Sequence, residues 1–182
     1  MSPDQDFIVG LLRALGEVHL EALVVGMAGA ALQGVPAMTL DVDLLVRDTP
    51  RNREKIEALG IALGAGRPRE ISPLTAAVRL TGARVPVDLV FDEISGGLTF
   101  NAVRSRSVAV ALGGQRARVA ALEDIIASKE AAGRPKDLAQ LPILRDTLRV
   151  KAALAAVEHS KAGRPCGHRR RRRTRPRPAR VR

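Results

Sequence analysis

"VPAMTLDVDLLV", residues 35–46, places Asp41 and Asp43 one residue apart in a run that otherwise reads as a buried β-strand. Side chains alternate across a strand, so the two aspartates share one face while Val42 and Leu44 turn to the core. Two carboxylates held side by side repel, and a cation between them relieves the repulsion. Hard oxygen ligands at this spacing suit Mg2+ or Mn2+, ions that also take phosphate oxygens as ligands. A third acid stands in an equally apolar run: Asp88 in "VPVDLVFD", between Val87 and Leu89. If the two strands pair, three carboxylates converge on one or two metal ions, an arrangement suited to phosphoryl or nucleotidyl transfer.

Around these acids the chain alternates helical and extended patterns. "DQDFIVGLLRALGE" sets Phe7, Leu11, Leu12 and Leu15 on one helical face, and "LEALVVG" reads as a short apolar strand ending at Gly26. "MAGAALQG" has the small residues of a turn that opens into a helix and closes at Gly34. Thr49 before Pro50 reads as an N-cap with proline at the first helical position, starting a helix through "RNREKIEALGIAL". "AAVRLTGARVPVDLVF" gives two strands about Thr81-Gly82, and "VAVALGGQRARV" a hairpin about Gly113-Gly114. From Ala121 the pattern is helical: "ALEDIIASKEAAG" ends at a glycine, and a further helix follows, with an interruption expected at Pro142.

The net charge of +11 invites a nucleic-acid reading until its position is noted. Residues 161–182, "KAGRPCGHRRRRRTRPRPARVR", hold one Lys and ten Arg and no acid, so positions 1–160 carry 19 basic and 19 acidic residues. A proline-broken run of like charge buries no apolar surface, and the tail is expected to be disordered, either a phosphate- or RNA-binding arm or a solvated extension. With no Trp, no Tyr and three Phe, the body offers little for base stacking. The longest apolar stretches fall short of the ~20 residues that span a bilayer, so no membrane association and a cytoplasmic location are expected. The single cysteine, Cys166, permits no internal disulfide. His19, His159 and His168 show no ligand spacing.

Taken in order, Gly26-Met27, a thirteen-residue spacer, Asp41-x-Asp43 on a strand and Asp88 on a later strand resemble the signature of the nucleotidyltransferase superfamily that includes DNA polymerase beta. "LEDIIASKEAAGRPKDLAQL" is further similar to the bacterial nucleotidyltransferase proteins related to the AbiEii abortive-infection toxins. There Lys129, Arg134, Lys136 and Asp137 match a helical motif implicated in nucleotide handling. The likeness runs over roughly residues 20–148. Met27 stands where the family carries Gly or Ser, and Ala37 where close relatives often carry Arg. A methionine side chain at the mouth of the phosphate site would hold a triphosphate away from the backbone.

The resemblance implies an α/β (α+β) nucleotidyltransferase fold with a mixed β-sheet: a core over residues 1–120, a helical segment over 121–160 and the basic tail. It implies Mg2+ or Mn2+ bound by Asp41, Asp43 and Asp88, with Asp88 also acting as general base. It further implies an NTP as substrate, with Gly26, Met27, Lys129, Arg134, Lys136 and Asp137 at the nucleotide. The expected reaction is transfer of a nucleoside monophosphate to a hydroxyl of RNA, tRNA included, or of a protein. A toxin role would bring an antitoxin partner. The alternatives are a catalytically silent member that binds a nucleotide or a partner, and an RNA-binding protein acting through its arginine tail.

Overall fold

The computed structural model describes residues 3–72 and 75–162. Residues 163–182, with Cys166, His168 and most of the expected basic tail, lie outside them. The chain forms two compact units, Met1–Arg149 and Val150–Arg182. In the second, the described residues are the continuation of a helix to Ala162.

The first unit is built on a seven-stranded mixed sheet. Its strands are β1 (Leu23–Val25), β2 (Val42–Val46), β3 (Arg69–Ser72), β4 (Thr75–Leu80), β5 (Val87–Phe91), β8 (Val108–Leu112) and β9 (Gln115–Val119). A separate two-stranded ribbon joins β6 (Glu93–Ile94) to β7 (Leu98–Thr99). The order across the large sheet is β3-β4-β5-β2-β1-β9-β8. The β2–β5 and β1–β9 pairs are parallel and the other neighbours antiparallel. The helices are α1 (Pro3–Glu17), α2 (Gly26–Leu32), α3 (Pro50–Ala62), α4 (Phe100–Arg106), α5 (Leu122–Ala132) and α6 (Pro135–Ala162).

Both sheet faces are covered, and the period-2 alternation of each strand divides its side chains between two cores. Val42, Leu44 and Val46 of β2 pack with Val87, Leu89 and Phe91 of β5 under Leu11, Leu12 and Leu15 of α1 and Ile56 and Leu59 of α3. On the other face Leu23, Val25 and Leu45 meet Met27 and Ala30 of α2, Phe100 and Val103 of α4, Leu122, Ile125 and Ile126 of α5, and Leu141 and Leu144 of α6. Asp43 lies on this second face, one pleat before Leu45.

Local signals account for the helix ends. The Thr49 side chain accepts a hydrogen bond from the Asn52 amide, and Pro50 occupies the first turn of α3. Gly133 ends α5 in the left-handed conformation, its amide donating to the Lys129 carbonyl. The expected break at Pro142 does not occur: α6 runs through it. Proline removes the bond to the carbonyl four residues earlier, that of Leu138. Both residues are exposed, so water can satisfy the freed group without ending the helix.

Candidate active site

The parallel ladder between β2 and β5 sets Asp43 directly opposite Asp88, and the antiparallel ladder between β4 and β5 sets Arg79 opposite Asp88. Three neighbouring strands thus bring two carboxylates and a guanidinium into one row. Asp41, just before β2, joins them from the same face. Arg79 donates from Nε to Asp88 Oδ1 and from Nη2 to Asp88 Oδ2, each at 2.6 Å, and the same Nη2 lies 3.8 Å from Asp41 Oδ2. Asp88 is almost fully buried, which makes this fork a strong, charge-assisted contact. The Thr39 hydroxyl, 2.8 Å from the Asp41 carbonyl and 3.2 Å from its Oδ1, fixes the approach to the strand.

Asp43 is less well compensated. Burial, then the charges of Asp41 and Asp88, push its carboxyl up to about 6, while Lys129 and Lys136 pull the other way. Gly26 stands against it with φ of +60°, and a methyl group placed on Gly26 would lie 2.1 Å from Asp43 Oδ2. The glycine is therefore required twice, by the backbone angle and by the carboxylate beside it.

Lys129 of α5 and Lys136 of α6 come within electrostatic reach of Asp43. Asp137, 1% exposed, receives Lys129 Nζ at 2.9 Å and Arg134 Nε at 2.5 Å. Burial raises the Asp137 carboxyl, but the bonds from Arg134 and Lys129 outweigh it and hold the group below the usual carboxylate range. Asp137 thus anchors the two cations and is shut away from solvent. Lys136 is exposed.

Met27 is the residue whose position departs from the sequence expectation. It is 7% exposed and belongs to the second core, with Val25, Leu45 and Ile125. On the turn after β1, Gly26 faces Asp43 and the next side chain drops into the second core, a place where an apolar residue fits and a glycine is not needed. Phe91 and Phe100 are buried beneath Arg53 and Arg47, so neither is available to stack on a base. The residue that sequence reading missed is Arg79. Its signal was available, because a hairpin about Thr81-Gly82 pairs the one charge of "AAVRL" with the one acid of "PVDLV".

Asp41 and Asp43 form a hard two-carboxylate donor set whose charge is only partly offset, and this fits a divalent ion. A three-carboxylate cage does not form: among the described residues no group of three or more His, Cys, Asp or Glu is placed to hold a metal. The third carboxylate is occupied by Arg79.

Solved structures share this architecture. The antibiotic-resistance factor ANT(2'')-Ia, in its complex with adenylyl-2''-tobramycin, is 17% identical and superposes with a TM-score of 0.59 over 88% of this chain and 99% of its own. The candidate nucleotidyltransferase TM1012 from Thermotoga maritima is 18% identical, with a TM-score of 0.52 over 82% of this chain and 96% of its own. An antigenic nucleotidyltransferase-like protein from Paracoccidioides brasiliensis is 17% identical, with a TM-score of 0.50 over 89% and 91%. The chain has the nucleotidyltransferase fold. No family model and no curated protein matches the sequence. Within the nucleotidyltransferase fold of this chain, Asp43 and Asp88 occupy adjacent central strands, and no described helix is long and apolar enough to cross a membrane.

Proposed function

We propose that the protein is a Mg2+-dependent nucleotidyltransferase that moves a nucleoside monophosphate from an NTP to an acceptor hydroxyl of RNA or protein. The observation that carries this reading is the strand register that sets Asp43 beside Asp88, with Lys129 and Lys136 within electrostatic reach of Asp43. Acids with amines in electrostatic reach complement an NTP carrying a divalent ion. Asp41 and Asp43 would hold that ion, whose charge would offset that of the phosphate oxygens. Lys129 and Lys136 would face the triphosphate with Arg134 at its outer edge, and Gly26 keeps open the space in which Asp43 lies.

Asp88 would take the proton of the acceptor hydroxyl. As the new bond from that oxygen to the α-phosphorus forms, the bond to the oxygen bridging to the β-phosphate breaks, and pyrophosphate leaves with the electron pair. Each carboxylate oxygen has a second lone pair, so Asp88 can accept a proton while Arg79 stays bound. The run from Lys129 to Asp137 supports a kinship with the AbiEii-related proteins, and with it a toxin-like action on tRNA or another RNA. A second reading, a catalytically silent nucleotide-binding member of the fold, is favoured by one observation: Arg79 engages both oxygens of Asp88.

The test is incubation with each α-labelled NTP and Mg2+ in the presence of total RNA, cell lysate or an aminoglycoside. Label should pass to one acceptor class and should not pass with Asp43→Ala. Nucleotide binding without transfer would favour the silent reading, and neither binding nor transfer would overturn both.

A further inference from the structure

Of the three carboxylates, one already has a permanent cation. Arg79 and Asp88 are Cα partners in the β4–β5 ladder, so strand register builds their pair. Both guanidinium contacts are 2.6 Å, and the Asp88 side chain is 9% exposed. The same Arg79 nitrogen also reaches toward Asp41, at 3.8 Å. Asp43, by contrast, has no ion-pair partner among the described residues. Arg69, the Cα partner of Arg79 on β3, adds another positive side chain to the row.

A guanidinium stays charged throughout the working pH range, and its planar fork matches a carboxylate at both oxygens. A divalent ion seated on Asp88 would lie directly against the charge of that fork. We infer that Arg79 takes the place of a second metal ion. The site loads a single divalent cation on Asp41 and Asp43, and Asp88 stays outside its ligand set, positioned by Arg79. The inference rests on the nucleotidyltransferase reading for the purpose of the ion, and on the ladder geometry for the count. It departs from the sequence expectation that Asp88 is itself a metal ligand.

The experiment is a titration of the full chain with Mn2+ alone at about pH 8, where Asp43 is ionised, with free Mn2+ read from its paramagnetic resonance signal. Wild type should bind one ion. Asp43→Asn should weaken binding more than about tenfold, while the double variant Asp88→Asn/Arg79→Gln, which removes the paired charges together, should still bind one ion. Arg79→Gln, which frees Asp88 without adding charge, should bind a second ion and show the spin-coupled spectrum of a manganese pair. Two ions in wild type, no ion in the folded Asp88→Asn/Arg79→Gln double variant, or a single ion in folded Arg79→Gln would overturn the inference and leave the transferase reading standing. No ion in wild type would overturn the inference too, the transferase reading then resting on an ion carried in by the NTP. Should Arg79→Gln fail to fold, the wild-type count and the double variant decide the matter.

Discussion

Gly26 and Asp43 are in such close contact that only a hydrogen in the place of a β-carbon on Gly26 leaves room for the carboxylate: a methyl group there would fall 2.1 Å from Oδ2. Gly26→Ala therefore has to turn Asp43 away as well as hold a residue at φ of +60°. The backbone cost is about 1 kcal/mol, and misplacing a site carboxylate by an ångström costs ~100-fold in rate. The expected outcome is a modest fall in melting temperature with a disproportionate loss of nucleotidyl transfer, checked by thermal melts and label transfer on one preparation. Equal activity in the alanine variant would remove Asp43 from the chemistry.

Asp43 makes stability depend on pH in an unusual direction for a carboxylate. Its folded value, about 6, lies above the ordinary 3.8, so the folded protein holds this proton more tightly than the unfolded chain. Its contribution is therefore most favourable at low pH, falls as pH rises from about 4 to about 6, and stays unfavourable above that. Asp137, held below the usual range, acts with the opposite sign and loses its contribution as pH falls. Asp43→Asn should stabilise the metal-free protein by roughly 1 to 3 kcal/mol near pH 8 and by almost nothing near pH 4. Denaturant melts of the two proteins across that range check the difference, and a difference independent of pH would refute the assignment.

Met27 packs against Val25, Leu45 and Ile125, so replacing it tests the core and not the phosphate site. Met27→Ala should cost ~2 to 5 kcal/mol, the range for a buried truncation, and should leave nucleotide affinity unchanged in the fraction that stays folded. A gain in affinity, measured by calorimetric titration, would return Met27 to the mouth of the cleft.

Lys129 is nearly as buried as the Asp137 it meets, with side-chain exposures of 11% and 2%. Removing the acid strands the amine. Asp137→Ala should destabilise the first unit by about 3 kcal/mol. Lys129→Met retains volume while removing charge and should weaken NTP binding. Melting and binding curves for the two variants separate anchor from contact.

Much of this was legible in residue order because the signals were local. The apolar runs around Asp43 and Asp88 announced two buried strands, Thr49-Pro50 a helix start, and the paired glycines at 113 and 114 a hairpin. The acids were visible as charges in apolar runs. What was hidden depended on partners distant in sequence. The short β3, β6 and β7 have too few residues to show a period. Pro142 reads as a stop until the exposure of Leu138 is known. Arg79 differs, because following the hairpin about Thr81-Gly82 through its register already pairs it with Asp88. The fate of Met27 turned on how sharply the chain bends after Gly26, which neighbouring residue types do not reveal.

The central claim is that Asp41 and Asp43, facing Lys129 and Lys136, form a site for an NTP and a divalent ion. Calorimetric titration with a non-hydrolysable NTP, in Mg2+ and then in chelator, tests it most directly. The account predicts saturable binding that needs Mg2+ and weakens more than about tenfold in Asp43→Asn. Binding indifferent to both Mg2+ and Asp43, or no binding by folded wild-type protein, would contradict it.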